Sequence, residues 1–445
     1  MKRIMVDMSV TLLHHGHIRL IKRASQYGKL VIGMTSDEQI KQYKGYVPEL
    51  SFKHRKEMLE AITEVSEVVE TPWLITEDIL NQYQIDLLVH GDDNVNQIAP
   101  ERLLILPRTQ GVSSFDIRKR VQKSLVSIAN QKLMLTPGPA LVLHENISGL
   151  RPVFGRGDSE YESISEKVIN WIKTLSGQDK IVYAQGSATF AIELAAHTFV
   201  NGKVLVISTG YYSDRLEQLL PKREQIDVIP YYAQLNTVND KYDWIMCAYT
   251  EISRAFKINL EGLRAKADAL GAKLFVDATG SIGLEKGHEL ADVTAFSSCK
   301  GLFGLAGACF IAYKKGLQEQ MQESFYFNMD THRRKRVTGP YHAIFSLYDV
   351  MPIHTQLVAR VKNSKHLLIE RFRAFIPSLD NQPLLCTYLN GTLKAKDDNV
   401  VLYAPRTEML GSIVCHLGEL HHDEVNLIKR IDVESLNRIN DQKSL

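Results

Sequence analysis

Two short polar stretches and one lysine carry residue types whose spacing allows chemistry. His14-His15-Gly16-His17 follows the apolar, strand-like Ile4-Met5-Val6 and opens a helical pattern of Ile18, Leu20, Ile21 and Ala24. A spacing of three predicts His14 and His17 on one face of a first helical turn. Free N–H groups and the positive end of the helix dipole suit an anion there. Two imidazoles can donate to a phosphate as charge builds on it. Further on, Arg108-Thr109-Gln110-Gly111-Val112-Ser113-Ser114 leads through Phe115, Asp116 and Ile117 to Arg118. It supplies cations, hydroxyls and a glycine for close backbone approach, again the chemistry of a polyphosphate. Lys300 lies among small and apolar residues, Thr294 to Gly304, and lysine is rarely buried without a reason. Upstream, Asp277 closes the apolar run Leu274-Phe275-Val276. A buried lysine and aspartate on neighbouring strand ends are what pyridoxal phosphate requires: an amine for a Schiff base and a carboxylate for the ring nitrogen. The plainer alternative is a structural ion pair.

These residues need parallel α/β scaffolds. Short apolar runs predict strands at 3–7, 29–34, 67–71, 86–90 and 103–106, with helices between them and ligands at the carboxyl ends of the strands. A helix is expected from Phe115 to Ala129, running without a Gly/Pro-rich linker into a second unit that begins near Leu135-Thr136-Pro137-Gly138-Pro139-Ala140. There, strands are expected at 180–184, 203–208, 225–230, 243–248 and 273–277 in a mixed or parallel sheet. Helices are expected at 164–176, 213–219, 260–270 and 345–375, the last opening a small α+β lobe. Gly186-Ser187-Ala188-Thr189 at a helix start is a natural cup for a cofactor phosphate. Tyr212, after Gly210-Tyr211, could stack on a pyridine ring.

With 445 residues the chain has room for two or three domains. A 44% apolar and 23% charged composition is that of a soluble globular protein. The net charge of +2 gives no general attraction to nucleic acid or membrane. No apolar run approaches the ~20 residues that span a bilayer. Five cysteines, at 247, 299, 309, 386 and 415, form no paired framework, so a reducing cytoplasm is expected.

Residues 1–125 resemble the glycerol-3-phosphate cytidylyltransferase branch of the small nucleotidyltransferases. The resemblance rests on the HxGH and RTxGxS stretches, with Thr35-Ser36-Asp37-Glu38, His54-Arg55 and Gly91-Asp92-Asp93 in order. It implies a Rossmann-like domain over 1–128 that takes CTP and Mg²⁺. His14, His17, Lys44, Asp92, Arg108, Gly111, Ser113 and Ser114 would bind the nucleotide, and His14 and His17 would be catalytic. Two departures fall near the acceptor. Ser9-Val10-Thr11 lacks the family's aspartate, and Asn94 stands in a shortened loop.

Residues 132–345 resemble the class V, fold type I aminotransferases, in particular the 2-aminoethylphosphonate–pyruvate type. The matching stretches are Thr136-Pro137-Gly138-Pro139, Gly186 to Thr189, Gly210 to Tyr212, Val276-Asp277-Ala278, Ser297 to Gly301 and Thr338 to His342. The resemblance implies a pyridoxal-phosphate domain over 129–445, with its small lobe from about 345. Lys300 would be the Schiff-base lysine and Asp277 the partner of the ring nitrogen. Ser187, Ala188 and Thr189 would hold the phosphate, Tyr212 would stack on the ring, and Ser253 would lie near the ring hydroxyl. Thr338 would reach the cofactor phosphate of a partner subunit, so a homodimer is implied. The family's carboxylate-gripping arginine is replaced by Ile413. Arg254, and after it Arg406, are the candidates to take over. The fusion suggests a bifunctional enzyme that makes 2-aminoethylphosphonate from phosphonoacetaldehyde with an amino acid donor, then transfers CMP to it. The alternatives are an amino-alcohol phosphate acceptor (phosphoethanolamine or serinol phosphate), or a C-terminal half that serves only as a dimerisation scaffold.

Overall fold

The structure, a computed structural model, describes residues 2–129, 132–148, 150–151, 157–222, 225–231, 235–420 and 428–436. It divides into two compact units, Met1–Ser124 and Leu125–Leu445.

Unit 1 is built on five strands, β1 (Arg3–Met8), β2 (Lys29–Thr35), β3 (Val65–Thr71), β4 (Leu87–Gly91) and β5 (Leu103–Leu106). They pair in parallel in the order β3-β2-β1-β4-β5. The chain steps outward from β1 to β3 and then crosses to β4 on the other side of β1. That reversal opens a crevice beyond the carboxyl ends of β1 and β4, where open α/β sheets bind ligands. β1 is central, and its Ile4, Met5 and Val6 are fully buried. The helices are α1 (His15–Ala24), α2 (Asp37–Lys44), α3 (Phe52–Glu60), α4 (Glu77–Gln82) and α5 (Ser114–Ala129). Ser36 caps α2 by accepting from Gln39 N, and Gly45 ends it in the left-handed conformation. These caps fix where Lys44, in the last turn, projects.

Unit 2 holds a seven-stranded sheet of β6 (Lys180–Gln185), β7 (Lys203–Ser208), β8 (Gln225–Pro230), β9 (Trp244–Ala248), β10 (Lys273–Asp277), β11 (Val293–Ser297) and β12 (Ala308–Tyr313). Their order is β6-β12-β11-β10-β9-β7-β8. The sheet is mixed: β12 runs antiparallel to both neighbours and the other pairs are parallel. β9 to β12 are almost wholly buried, as expected of strands covered on both faces. Ser159–Ser176 and Leu260–Leu270 pack on one side of the sheet, and Ala188–Phe199 on the other.

The single helix expected over 345–375 is two. Tyr341–Val350 is followed by a 3-10 turn at Met351–Ile353 and then by His354–Arg371. Pro352 has no N–H to continue the first helix. The expected helix at 213–219 is a short turn, Tyr211–Asp214, followed by 3-10 Arg215–Leu219. The small lobe pairs Cys386–Leu389 with Ser412–Cys415, and Thr392–Ala395 with Ile431–Glu434. Val400–Leu402 pairs in parallel with Leu133–Leu135, which brings the start of the unit into the lobe.

Candidate active sites

A cleft of about 590 Å³ opens at the carboxyl ends of the unit 1 strands. His14 is the N-cap of α1 rather than part of its first turn. Its Nδ1 accepts from Gly16 N at 3.2 Å, and His17 Nδ1 accepts from His14 N at 3.3 Å. The two rings stack with centroids 3.8 Å apart. Because each Nδ1 is an acceptor, each neutral ring carries its proton on Nε2. Burial lowers both pKa values, His17 to about 3, helped by the neighbouring His14, Lys44 and Arg108. The pair therefore meets an anion as two neutral N–H donors.

Cations surround them. Lys44 Nζ donates to Ser9 Oγ at 2.6 Å and sits 5.3 Å from the centre of the Trp73 ring. Burial pulls its pKa down. Arg108 pairs with Asp93 at 3.0 Å. Gly91 lets this pair pass, since a Cβ there would meet Asp93 Oδ1 at 2.8 Å and Arg108 Cγ at 3.0 Å. Ser113 caps α5, accepting from Asp116 N, while Ser114 Oγ donates to Leu12 O at 3.3 Å. Arg118 forks onto Glu49 and donates to Thr11 Oγ1 at 3.0 Å. Arg55, fully buried, donates to Ser9 O, Thr35 O and Asp37. It ties the β1 and β2 ends together.

Asp7, at the end of β1, lines the cleft floor. Its carboxylate is largely buried. Among the described residues its one ion-pair partner is His90, at 3.5 Å, and Asn96 Nδ2 approaches at 3.4 Å. Desolvation raises its pKa, opposed by His90 and Asn96.

In unit 2, Asp277 ends β10, and Lys300 follows β11, the adjacent parallel strand. Lys300 is half-buried, and desolvation at its amino group lowers its pKa, opposed by Asp277. Among the described residues Nζ has no hydrogen-bond or ion-pair partner; it lies 5.7 Å from the centre of the Tyr212 ring. Gly138, at φ 111°, passes so close that a Cβ would lie 3.2 Å from Lys300 Cγ. Asp277 Oδ1 accepts from Thr279 N and Oγ1, and Oδ2 lies 3.9 Å from Arg215. Ser187 caps the helix Ala188–Phe199, with Thr189 in its first turn. Ser253 is fully buried: it donates to Glu251 Oε1 at 2.5 Å and accepts from Tyr211 N. Thr338 lines a separate hollow of about 280 Å³ with Tyr161, Gln185 and Lys335.

Residues 11–120 match the model of the cytidylyltransferase-like family. The glycerol-3-phosphate cytidylyltransferase of Bacillus subtilis (strain 168) is 36% identical over 129 residues, which cover 27% of this chain and 98% of that enzyme. The ethanolamine-phosphate cytidylyltransferase of Arabidopsis thaliana is 35% identical over 135 residues, 27% of this chain and 32% of that relative. Through unit 1, the chain belongs to the cytidylyltransferase-like family. It spans about a third of the Arabidopsis relative and nearly all of the Bacillus one. Among solved structures, the aspartate aminotransferase of Thermus thermophilus matches with a TM-score of 0.59 at 15% identity, over 66% of this chain and 96% of that one. The alanine–glyoxylate aminotransferase of Nostoc sp. matches at 0.58 and 17%, over 67% and 93%. Unit 2 thus has the fold of the aminotransferases.

Within the cytidylyltransferase-like unit, His14, His17, Lys44, Arg108, Ser113 and Ser114 all line the cleft. Asp92 does not: it is exposed, and the cleft carboxylate beside Arg108 is Asp93. Gly111 supplies the turn, at φ 74°, without lining the cleft. Sequence reasoning missed Asp7, Trp73, His90 and Asn96. Asp7 had a readable signal, a carboxylate in the otherwise apolar run Ile4 to Met8. In unit 2, Ile413 is 1% exposed in an apolar cluster with Phe303, Cys415 and Leu417. Arg254 is exposed, and among the described residues it has no hydrogen-bond or ion-pair partner. No group of three or more His, Cys, Asp or Glu side chains able to hold a metal lies among the described residues. None of the helices among them is long and apolar enough to cross a membrane.

Proposed function

We propose that the chain is a bifunctional enzyme. Unit 1 transfers CMP from CTP to a small phosphonate or phosphate that carries an amine, and unit 2 makes that amine. The acceptor we favour is 2-aminoethylphosphonate, made from phosphonoacetaldehyde. The observation that carries the amine is Asp7. A desolvated carboxylate on the cleft floor, with only a histidine as ion-pair partner among the described residues, would be completed by a ligand ammonium. A polyol phosphate would leave Asp7 without a cation. The Arabidopsis relative, named for ethanolamine phosphate, supports the second reading, in which phosphoethanolamine is the acceptor.

In the reaction, an acceptor oxygen attacks the α-phosphorus of CTP, the bond to the β-phosphate oxygen breaks and pyrophosphate leaves. His14 and His17 donate from Nε2 to the phosphates, and Lys44 and Arg108 take up the charge. No group of three or more His, Cys, Asp or Glu side chains able to hold Mg²⁺ lies among the described residues, and the ion would enter with the nucleotide and offset its phosphate charge.

The residues of unit 2 fit pyridoxal phosphate. Lys300 offers a desolvated amine without a counter-ion in contact among the described residues, and Asp277 offers a buried carboxylate. Ser187 and Thr189 stand at the N-terminus of a twelve-residue helix. When bound, the cofactor supplies an electron sink for proton removal at the amine carbon. Lys300 would hold it and move that proton, and Asp277 would keep a proton on the ring nitrogen. The desolvated Lys300 argues against a purely structural second unit.

The test is incubation of the purified chain with CTP, Mg²⁺ and 2-aminoethylphosphonate, phosphoethanolamine, serinol phosphate or glycerol 3-phosphate, with products identified by mass. A CMP adduct of an amine-bearing acceptor is expected. An adduct formed only with glycerol 3-phosphate would overturn the amine assignment.

A further inference from the structure

The buried Ile413 leaves unit 2 without a charge at the strand position where the resemblance puts an arginine. It packs in an apolar cluster with Phe303, Cys415 and Leu417. Arg406, just beyond Val400–Leu402 in the same lobe, is placed differently. Its Nη1 donates to Tyr211 Oη at 2.9 Å, and its guanidinium carbon lies 5.3 Å from the centre of that ring. The Tyr211 and Tyr212 rings meet edge to face at 5.2 Å, and Lys300 Nζ lies 5.7 Å from the centre of Tyr212. An unbroken set of side-chain contacts thus joins the guanidinium to the reactive lysine. Among the described residues Arg406 has no carboxylate partner. Tyr403, three residues before it, packs with Tyr212 and Ile413, and its hydroxyl pairs with that of Tyr212.

We propose that Arg406, positioned by Tyr211 and with the Tyr403 hydroxyl beside it, binds the oxyanion of the substrates that react at Lys300. This inference rests on the reading of unit 2 as a pyridoxal-phosphate site. The shared chemistry is a planar or tetrahedral oxyanion, either the carboxylate of the amino donor or the phosphonate of the carbonyl acceptor. With Nη1 on the phenol, Nη2 and Nε remain free, and a guanidinium fork matches either group. Arg254 does not compete: it is exposed at the 3-10 turn Ile252–Arg254, and among the described residues no hydrogen bond or ion pair aims it.

The experiment uses the full chain loaded with pyridoxal phosphate. 2-Methylalanine has a carboxylate and an amine but no α-hydrogen to lose, so its binding is read as a shift of the cofactor absorbance band, not as turnover. Ethylphosphonate is titrated as a competitor. Arg406→Ala should raise the Kd of 2-methylalanine, the inhibition constant of ethylphosphonate, or both, at least tenfold. The first change assigns the donor carboxylate and the second the acceptor phosphonate. Arg406→Lys, which keeps the charge and loses the fork, should fall between. Wild-type constants in both arms for Arg406→Ala would overturn the proposal, as would a tenfold loss in Arg254→Ala instead. Wild-type protein that develops no cofactor band would overturn the reading of unit 2 and this inference with it. A band with unaltered constants would overturn Arg406 alone.

Discussion

The imidazoles of His14 and His17 stack 3.8 Å apart because each ring satisfies a backbone N–H at the start of α1. The capping that anchors the helix also fixes the chemistry. With Nδ1 occupied, Nε2–H is the only donor either neutral ring can offer. One pair of residues therefore serves both the helix terminus and the charge that develops on the phosphates.

Removing one such donor should cost transition-state binding. His17→Ala is expected to lower kcat for cytidylyl transfer by roughly 10²–10³, with a smaller change in KM for CTP, because the charge it meets is developing. An unaltered kcat in a folded variant would reduce His17 to a helix cap.

The same burial makes a pH prediction. His17 titrates near 3 in the folded chain, below its ordinary value of 6.5, so the folded state resists a proton that the unfolded state accepts. Its contribution to stability is complete above pH 6.5 and is lost as pH falls from there toward 3. His14, also lowered, acts in the same direction. Urea unfolding of unit 1, followed across that range, should show stability falling with pH. His17→Asn should fall less steeply. Parallel curves for the two proteins would show that His17 does not set the slope.

Much of this is readable in the amino-acid sequence alone, and the reason is periodicity. The strands of unit 1 are short apolar runs between helical patterns, and HxGH follows the first of them, so site and scaffold predict each other. The Lys300–Asp277 relation was legible for a related reason: charged residues at the ends of apolar strands stand out. What escaped were relations between segments distant in sequence. Nothing around Asn96 announces that it bridges Ile75 N to Asp7. Asp92 and Asp93 are equivalent in sequence, and only the turn after β4 decides which one meets Arg108. The resemblance puts Arg254 before Arg406, whereas the contact of Arg406 with Tyr211 spans nearly two hundred residues of sequence.

Acceptor choice should follow Asp7. Asp7→Asn keeps the shape and removes the charge, so an ammonium on the acceptor loses its partner. We expect KM for the amine-bearing acceptor to rise at least tenfold, about 1.4 kcal/mol. Glycerol 3-phosphate, measured in parallel, should lose much less. Equal losses for both acceptors would show that Asp7 supports the cleft without reading the amine.

The two chemistries should separate at Lys300. Its amine is desolvated and among the described residues has no hydrogen-bond or ion-pair partner, so truncation removes the covalent anchor for the cofactor, while the buried Asp277 keeps Arg215 at 3.9 Å. The side chain lies in unit 2, and the histidines, Lys44 and Arg108 all lie in unit 1. Lys300→Ala should therefore abolish the cofactor absorbance band and amine formation. Cytidylyl transfer to an amine supplied from outside should stay within a few-fold of wild type. Two measurements on one preparation decide it: an absorbance spectrum after incubation with pyridoxal phosphate, and pyrophosphate release from CTP. A retained band would move the Schiff base to another lysine. Loss of pyrophosphate release in a variant with wild-type unfolding behaviour would show that unit 1 depends on cofactor bound in unit 2.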